Sequence, residues 1–232
     1  MRSLTDNFLE ALTFSQADAA TLRKLGESKG RQQLFAHQFP EQLETLKVAA
    51  QVESVESSNR IEGVIATRSA IKKLVLKDAT PKDRTEQEIA GYRDALALIH
   101  DHRAEIPVTI NTILQLHAML YRYHPSDGGE WKMAPNDIIE RGPEGEILKI
   151  RHRPLSPIET PIAMEQLTEA WTREKQAERV DPLVLVPLFV FDFLSIHPFR
   201  DGNGRMSRLL TILLFYHSGY HACRYISLER LV

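Results

Sequence analysis

Hydrophobic residues return at spacings of three and four along much of the chain, the mark of helices that bury one face. Leu43, Leu46, Ala50, Val52 and Val55 form one such stripe, and Ile89, Tyr92, Leu96 and Ile99 another. In residues 110–121, Ile113, Leu116, Met119 and Leu120 share a face, and Thr109 or Asn111 is the cap. Residues 164–176 repeat the pattern with Leu167, Ala170 and Trp171 on one side. Residues 183–196 are apolar all round, which predicts a central buried helix. Residues 203–217 continue in that style, and Gly219 is the expected stop.

One region breaks the period. Gly128-Gly129 ends a helical stretch, and residues 136–150 then read NDIIERGPEGEILKI. Ile138-Ile139 and Ile147-Leu148 flank the turn Gly142-Pro143-Glu144-Gly145, which is a hairpin pattern. A lone two-stranded hairpin is marginal in water, so this one is expected to rest on the helices and offer a free edge. The fold class expected is therefore mainly α, a helical core with a small β-hairpin. Thr80-Pro81-Lys82-Asp83 reads as a loop between an N-terminal helical section and the rest.

Composition narrows the class. The 232 residues are 43% hydrophobic, enough for one substantial core. With 29 Lys and Arg against 31 Asp and Glu, the net charge is -2, which gives no sign of a nucleic-acid or membrane partner. One cysteine, Cys223, permits no internal disulfide. The first residues lack the apolar core of a signal peptide, and no apolar run reaches the roughly 20 residues of a membrane span. A soluble cytoplasmic protein is the expectation, with a homodimer left open.

The chemistry concentrates in HPFRDGNGRMSR, residues 197–208, between two apolar stretches. Burying such groups unpaired costs several kcal/mol each by the order of known transfer energies (about 2–7), so they must face a cleft. Gly202 and Gly204 let the backbone approach a ligand. The N–H groups of a helix beginning near Asn203 form an anion site. Arg205 and Arg208, three apart, lie on neighbouring positions of that helix. Asp201 is a hard oxygen ligand suited to Mg2+ bridging phosphates. His197 is the group there able to take a proton near neutral pH. Phosphoryl or nucleotidyl transfer is the chemistry implied. The plainer readings are a helix-end histidine, an aspartate N-cap and a solvated arginine face.

This stretch resembles the Fic-domain signature, His-Pro-Phe-x-Asp/Glu-Gly-Asn-Gly-Arg-x-x-Arg, at every specified position. The resemblance implies a Fic fold, in which residues 101–232 would be the catalytic core and the hairpin, at about 136–152, a flap. It implies AMP transfer from ATP to a hydroxyl of a target protein. His197 would deprotonate that hydroxyl and Asp201 would hold Mg2+. Gly202, Asn203 and Gly204 would line the anion hole, Arg205 would meet the γ-phosphate, Arg208 would support the phosphates, and Phe199 would anchor the loop. Relatives that move UMP, phosphocholine or phosphate leave the donor open. A nucleotide-sensing regulator without turnover is the rival class, and the intact His197 speaks against it.

A second motif, SSNRIEG at residues 57–63, resembles the inhibitory motif of that family, Ser/Thr-x-x-x-Glu-Gly/Asn. Residues 1–100 would then be an N-terminal helical region that carries the inhibition. Ser58 and Glu62 are one turn apart, and Gly63 would end their helix. The carboxylate of Glu62 would replace a γ-phosphate and accept a bidentate bond from Arg205. Segments EIAGYRDAL, residues 88–96, and GEWK with Asn136 also resemble the family. The flap would clamp the target by strand pairing, and RHRPLSP, residues 151–157, departs from the paired prolines common after it.

Overall fold

A computed structural model describes residues 3–76, 79–124 and 128–231, apart from the side chains of Gln33 and His37. The helices run α1 (Asp6–Glu10), α2 (Gln16–Gln38), α3 (Pro40–Ile61), α4 (Arg68–Leu76), α5 (Arg84–His102) and α6 (Ile110–Leu120). The strands β1 (Ile138–Arg141) and β2 (Ile147–His152) follow, and then α7 (Thr160–Ala177), α8 (Pro182–Ile196) and α9 (Asn203–His217). A 3-10 turn, Ala222–Arg224, leads into the last described residues. The mainly helical class is as expected, and no described helix is long and apolar enough to cross a membrane.

The core lies where α5 meets α3, α4, α6 and α9, and where α8 packs between α7 and α9. Ile89, Tyr92, Leu96 and Ile99 of α5 are all buried, as are Leu209, Leu210 and Leu213 of α9. Two apolar readings need correction. Leu46 is 46% exposed, because it borders the open cavity that α3 shares with α2 and residues 220–228. Helix α8 is buried on one face only: Phe189 and Phe193 are in the core, while Phe191 is 63% exposed. Its lone acid, Asp192, is 3% exposed and accepts bonds from the Ser3 backbone N–H at 3.1 Å and the Ser3 hydroxyl at 2.9 Å.

The helix ends obey local chemistry. Thr109, not Asn111, caps α6, its hydroxyl accepting the Thr112 N–H. Gly63 (φ 78°) closes α3 and Gly219 (φ 78°) closes α9, both left-handed. After α3, Gly63 N–H bonds Arg60 O and Val64 N–H bonds Asn59 O, the paired pattern of a Schellman end. After α9, Gly219 and Tyr220 repeat it on Tyr216 and Phe215. The hairpin pairs antiparallel, Ile139 opposite Ile150 and Glu140 opposite Lys149, with irregular register at both ends. Gly145 (φ 85°) sits in its turn. Each strand has one neighbour, so each keeps an open edge.

The helices that hold the site come close at one point. A methyl group on Gly91 of α5 would overlap the Leu120 carbonyl at the end of α6. The obstacle is backbone and cannot rotate aside. Alanine is favoured over glycine in a helix by about 1 kcal/mol, but overpacking costs typically 1–3 kcal/mol. Gly91→Ala is therefore expected to lower stability, with Tm falling by several degrees at about 2–4 °C per kcal/mol for a chain of this size. Thermal unfolding followed by circular dichroism decides it; a raised Tm would mean that the two backbones are not in contact.

Candidate active site

Helix α8 ends where the site begins. His197 is its C-cap at φ 52°, ψ 60°, the left-handed region. A non-glycine residue there costs on the order of 1–2 kcal/mol, so its surroundings must enforce it. They do so by gripping the carbonyls of the turn. Lys132 donates its backbone N–H to Pro198 O at 2.9 Å and its ammonium to Ile196 O at 3.1 Å. Asn136 donates to His197 O at 3.1 Å and Phe199 O at 2.8 Å, and accepts from the Lys132 ammonium at 2.9 Å. Burial lowers the Lys132 pKa to about 8. The His152 ring, at the end of β2, bonds Ser195 O at 2.8 Å and ties the hairpin to α8.

The same turn is anchored from below. Phe199 is fully buried and stacks on His117 of α6, centroids 3.6 Å apart. His117 Nδ1 accepts the Gly129 N–H at 2.9 Å, so the proton is on Nε2, which donates to Asp201 O at 3.0 Å. Asn203 folds its amide back on Phe199, accepting from its N–H at 2.9 Å and donating to its O at 2.7 Å. What Asn203 presents to the cleft is thus its backbone, not its side chain.

His197 is half-buried. Its Nδ1 faces the Leu194 carbonyl at 3.3 Å, a contact that bonds only if Nδ1 carries the proton. That tautomer leaves the Nε2 lone pair to receive another. Burial pulls the imidazole pKa below its ordinary value, with the Leu194 carbonyl opposing. The ring is therefore neutral, and basic, at neutral pH.

Helix α9 starts at Asn203 behind Gly202 (φ 79°), and no side chain caps it. Its first N–H groups and the positive end of its dipole face the cleft. Asp201 lies at the rim, its carboxylate 69% exposed. One oxygen accepts the Gly202 N–H at 2.6 Å, the Tyr121 hydroxyl bonds the carboxylate, and Arg205 is 3.8 Å from the other oxygen. Asp201 is therefore not the N-cap; that position is Gly202. Among the described residues no set of three His, Cys, Asp or Glu side chains converges to hold a metal unaided. An exposed carboxylate beside an uncapped helix start is chemically suited to Mg2+, which takes one or two carboxylates plus phosphate oxygens.

The two arginines divide differently from the expectation. Arg205 is 2% exposed and turned toward α5, donating to Glu88 at 3.0 Å and Tyr121 at 3.4 Å; its Nε is buried without a partner. Arg208 is the partner of the SSNRIEG segment. Its guanidinium donates to Glu62 Oε1 at 2.7 Å, to the Ser58 hydroxyl at 2.8 Å and to the Ser58 carbonyl at 3.0 Å. The expected Glu62–Arg205 pair is thus corrected to Glu62–Arg208, because α3 passes the face of α9 on which Arg208 lies. Gly63 places Glu62 at the last turn of α3, and the carboxylate reaches the first turn of α9. A methyl on Gly204 would overlap Glu62 Oε1.

The structure thus gathers Asp201, Gly202, Gly204, Arg208, Ser58 and Glu62 about the start of α9, with His197 at the end of α8 just before it. Sequence reasoning passed over the roles of His117, Lys132, Asn136 and His152. A cavity of about 940 Å³ lies elsewhere, between α2 and the residues after α9, and none of the candidate residues lines it.

Residues 107–215 match the family model described as the Fic/DOC family. A curated relative, "Protein adenylyltransferase Fic" of Drosophila melanogaster, is 30% identical over 226 residues, covering 95% of this chain and 40% of the relative. The chain thus spans about two-fifths of the length of that relative. A solved Fic domain containing signaling protein from Bacteroides thetaiotaomicron is 28% identical, with a TM-score of 0.67, over 78% of this chain and 68% of that one. A Fic family protein from Desulfovibrio desulfuricans, 23% identical, shares the fold with a TM-score of 0.72 over 95% of this chain and 63% of that one.

Burial disfavours the charged imidazole, so the neutral form of His197 persists to lower pH than usual and is lost only as pH falls through the depressed value. An NMR titration of the His197 ring, assigned by comparison with His197→Gln, should give a pKa below the ordinary 6.5. A value at or above that figure would mean the ring is more open to water than the geometry has it.

Proposed function

We propose that this chain, which carries a Fic/DOC family domain at residues 107–215, is a protein adenylyltransferase that moves AMP from ATP to a hydroxyl of a protein target and is held back by Glu62. One observation carries the reading. A carboxylate sits between an arginine and the uncapped start of a helix, where an anion's oxygens would bind, while the histidine next to that helix keeps a free basic nitrogen. The shared name of the curated relatives supports the choice of AMP.

The residues act as follows. The backbone of Gly202, Asn203 and Gly204 receives phosphate oxygens, and the two glycines leave no side chain in the way. Arg208 receives the γ-phosphate, and Arg205, held by Glu88, adds positive charge beneath the loop. Asp201 is the carboxylate that would hold Mg2+, which when bound neutralises phosphate charge. The target segment lies along the open edge of the hairpin. His197 Nε2 accepts the proton of the target hydroxyl as that oxygen bonds to the α-phosphorus. The bond from the α-phosphorus to the bridging oxygen breaks, and pyrophosphate leaves with the electron pair.

Inhibition follows from Arg208 being occupied. With Glu62 on Arg208, the γ-phosphate has no seat, the triphosphate bends, and the α-phosphorus is misaligned. A displacement of about 1 Å can cost about 100-fold in rate. The N-terminal region, residues 1–100, is in this reading the restraint on a catalytic region at 101–232, with Ser58 and Gly63 placing Glu62.

The test is label incorporation from α-labelled ATP into the protein and its targets. Glu62→Gly should raise labelling roughly ten- to a thousandfold, at about 1.4 kcal/mol per tenfold. Adding His197→Ala to that variant should reduce it again by roughly 100- to 10,000-fold while ATP still binds. The mass gained should be that of AMP. Equal labelling by the wild type and Glu62→Gly would end the inhibitory reading, undiminished labelling without His197 the catalytic one, and a mass gain of UMP or phosphate the assignment of ATP as AMP donor.

A further inference from the structure

The contacts of Arg208 continue past Glu62 into the protein. Ser58, which accepts from Arg208 Nε, is fully buried, and its own hydroxyl bonds the Tyr92 oxygen. The Tyr92 hydroxyl, also fully buried, donates to Glu229 Oε1 at 2.9 Å. The other oxygen of Glu229 accepts from the hydroxyls of Ser54 at 3.0 Å and Ser227 at 2.9 Å. Glu229 is 7% exposed and lies in the stretch after the 3-10 turn, beyond the end of α9.

The direction of this chain is fixed by chemistry. A guanidinium only donates and an ionised carboxylate only accepts, so the bonds run Arg208 to Ser58 to Tyr92 to Glu229. Hydrogen bonds in series polarise one another, each acceptor strengthened by the bond it goes on to donate. A carboxylate this buried is disfavoured without partners; here three hydroxyls serve it, with the Arg208 cation at the far end of the series. Burial and the nearby Glu229 charge push the Tyr92 pKa well up, so its proton stays in place to donate.

We propose that Glu229 is a positioning residue for the inhibitory contact: through Tyr92 and Ser58 it holds Arg208 in the orientation in which Glu62 engages it, so the stretch after α9 is part of the restraint. This rests on the inhibitory reading given above. A merely structural role, tying the last residues to α3, is already met by Ser54 with Glu229 and by Arg230 with Glu53. The branch through Tyr92 is the one that reaches Arg208.

The experiment compares Tyr92→Phe and Glu229→Gln with Ser54→Ala, which loosens the tie to α3 and leaves the series intact. Equilibrium binding of ATP and of ADP is measured for each, because the γ-phosphate is the group that needs Arg208 free. Tyr92→Phe and Glu229→Gln should each raise the preference for ATP over ADP about three- to tenfold, the worth of a typical net hydrogen bond. Ser54→Ala should leave the ratio at its wild-type value, and in a Glu62→Gly background neither of the first two should change it further. Tyr92→Phe, which removes one atom, serves if Glu229→Gln proves unstable on thermal unfolding. A wild-type ratio in Tyr92→Phe, or a shift that persists in full without Glu62, would overturn the proposal. If Glu62→Gly itself leaves the ratio unchanged, the inhibitory reading falls and this proposal with it; if Glu62→Gly raises the ratio and Tyr92→Phe does not, only the role of Glu229 falls. Binding needs no turnover, so failure of the transferase reading would show separately, as absent labelling.

Discussion

The site turns on one guanidinium that serves three acceptors of a single helix. Arg208 is held by Glu62, by the Ser58 hydroxyl and by the Ser58 carbonyl at once. Planar donors fixed in a fork suit a carboxylate and a phosphate equally well, which is why one can stand in for the other. The seat is reinforced from the opposite side, since the uncapped start of α9 attracts any anion. A restraint of the kind proposed would need no moving lid. It would need only that Glu62 occupy the point where a γ-phosphate would bind, and Gly63 ends α3 at the turn that carries Glu62 to Arg208.

The rest of the fold makes that point rigid. His197 is kept in a left-handed conformation that its own side chain disfavours. Four carbonyls in sequence, from Ile196 to Phe199, are gripped by Lys132 or Asn136. Phe199 and His117 stack below, and Asn203 closes the loop from within. A site held by a second set of bonded groups keeps its geometry when the substrate arrives. The tie from His152 to Ser195 joins the hairpin to the same turn, so the edge that would dock a target and the base that would act on it share one anchor.

Much of this was legible in the sequence because the determining signals are local. Gly63, Gly145, Gly202 and Gly219 adopt the positive φ that a turn or helix end requires, and the hairpin shows its turn residues between branched apolar pairs. The residues gathered about the start of α9 stand in the sequence as one dense stretch plus one short motif. What escaped was long-range. Arg205 and Arg208 lie on neighbouring positions of α9, and only the placement of α3 and α5 around it decides that Glu62 takes one and Glu88 the other. The grips on the His197 turn join side chains to backbone carbonyls about sixty residues away, and such bonds leave no pattern of residue types. Leu46 and Phe191 lie on apolar stripes broader than the surface their helices bury, so periodicity alone placed them inside.

The most direct test of the account is the position of the γ-phosphate. Structures of the wild type and Glu62→Gly, each bound to a non-hydrolysable ATP analogue, would show it. In Glu62→Gly a γ-phosphate oxygen should lie within hydrogen-bond reach of the Arg208 guanidinium, about 2.7–2.9 Å for a charge-assisted bond. In the wild type Glu62 should keep that contact and the γ-phosphate should lie elsewhere. A wild-type complex with Glu62 and the γ-phosphate together on Arg208, or a Glu62→Gly complex with the γ-phosphate on neither Arg208 nor the start of α9, would contradict it.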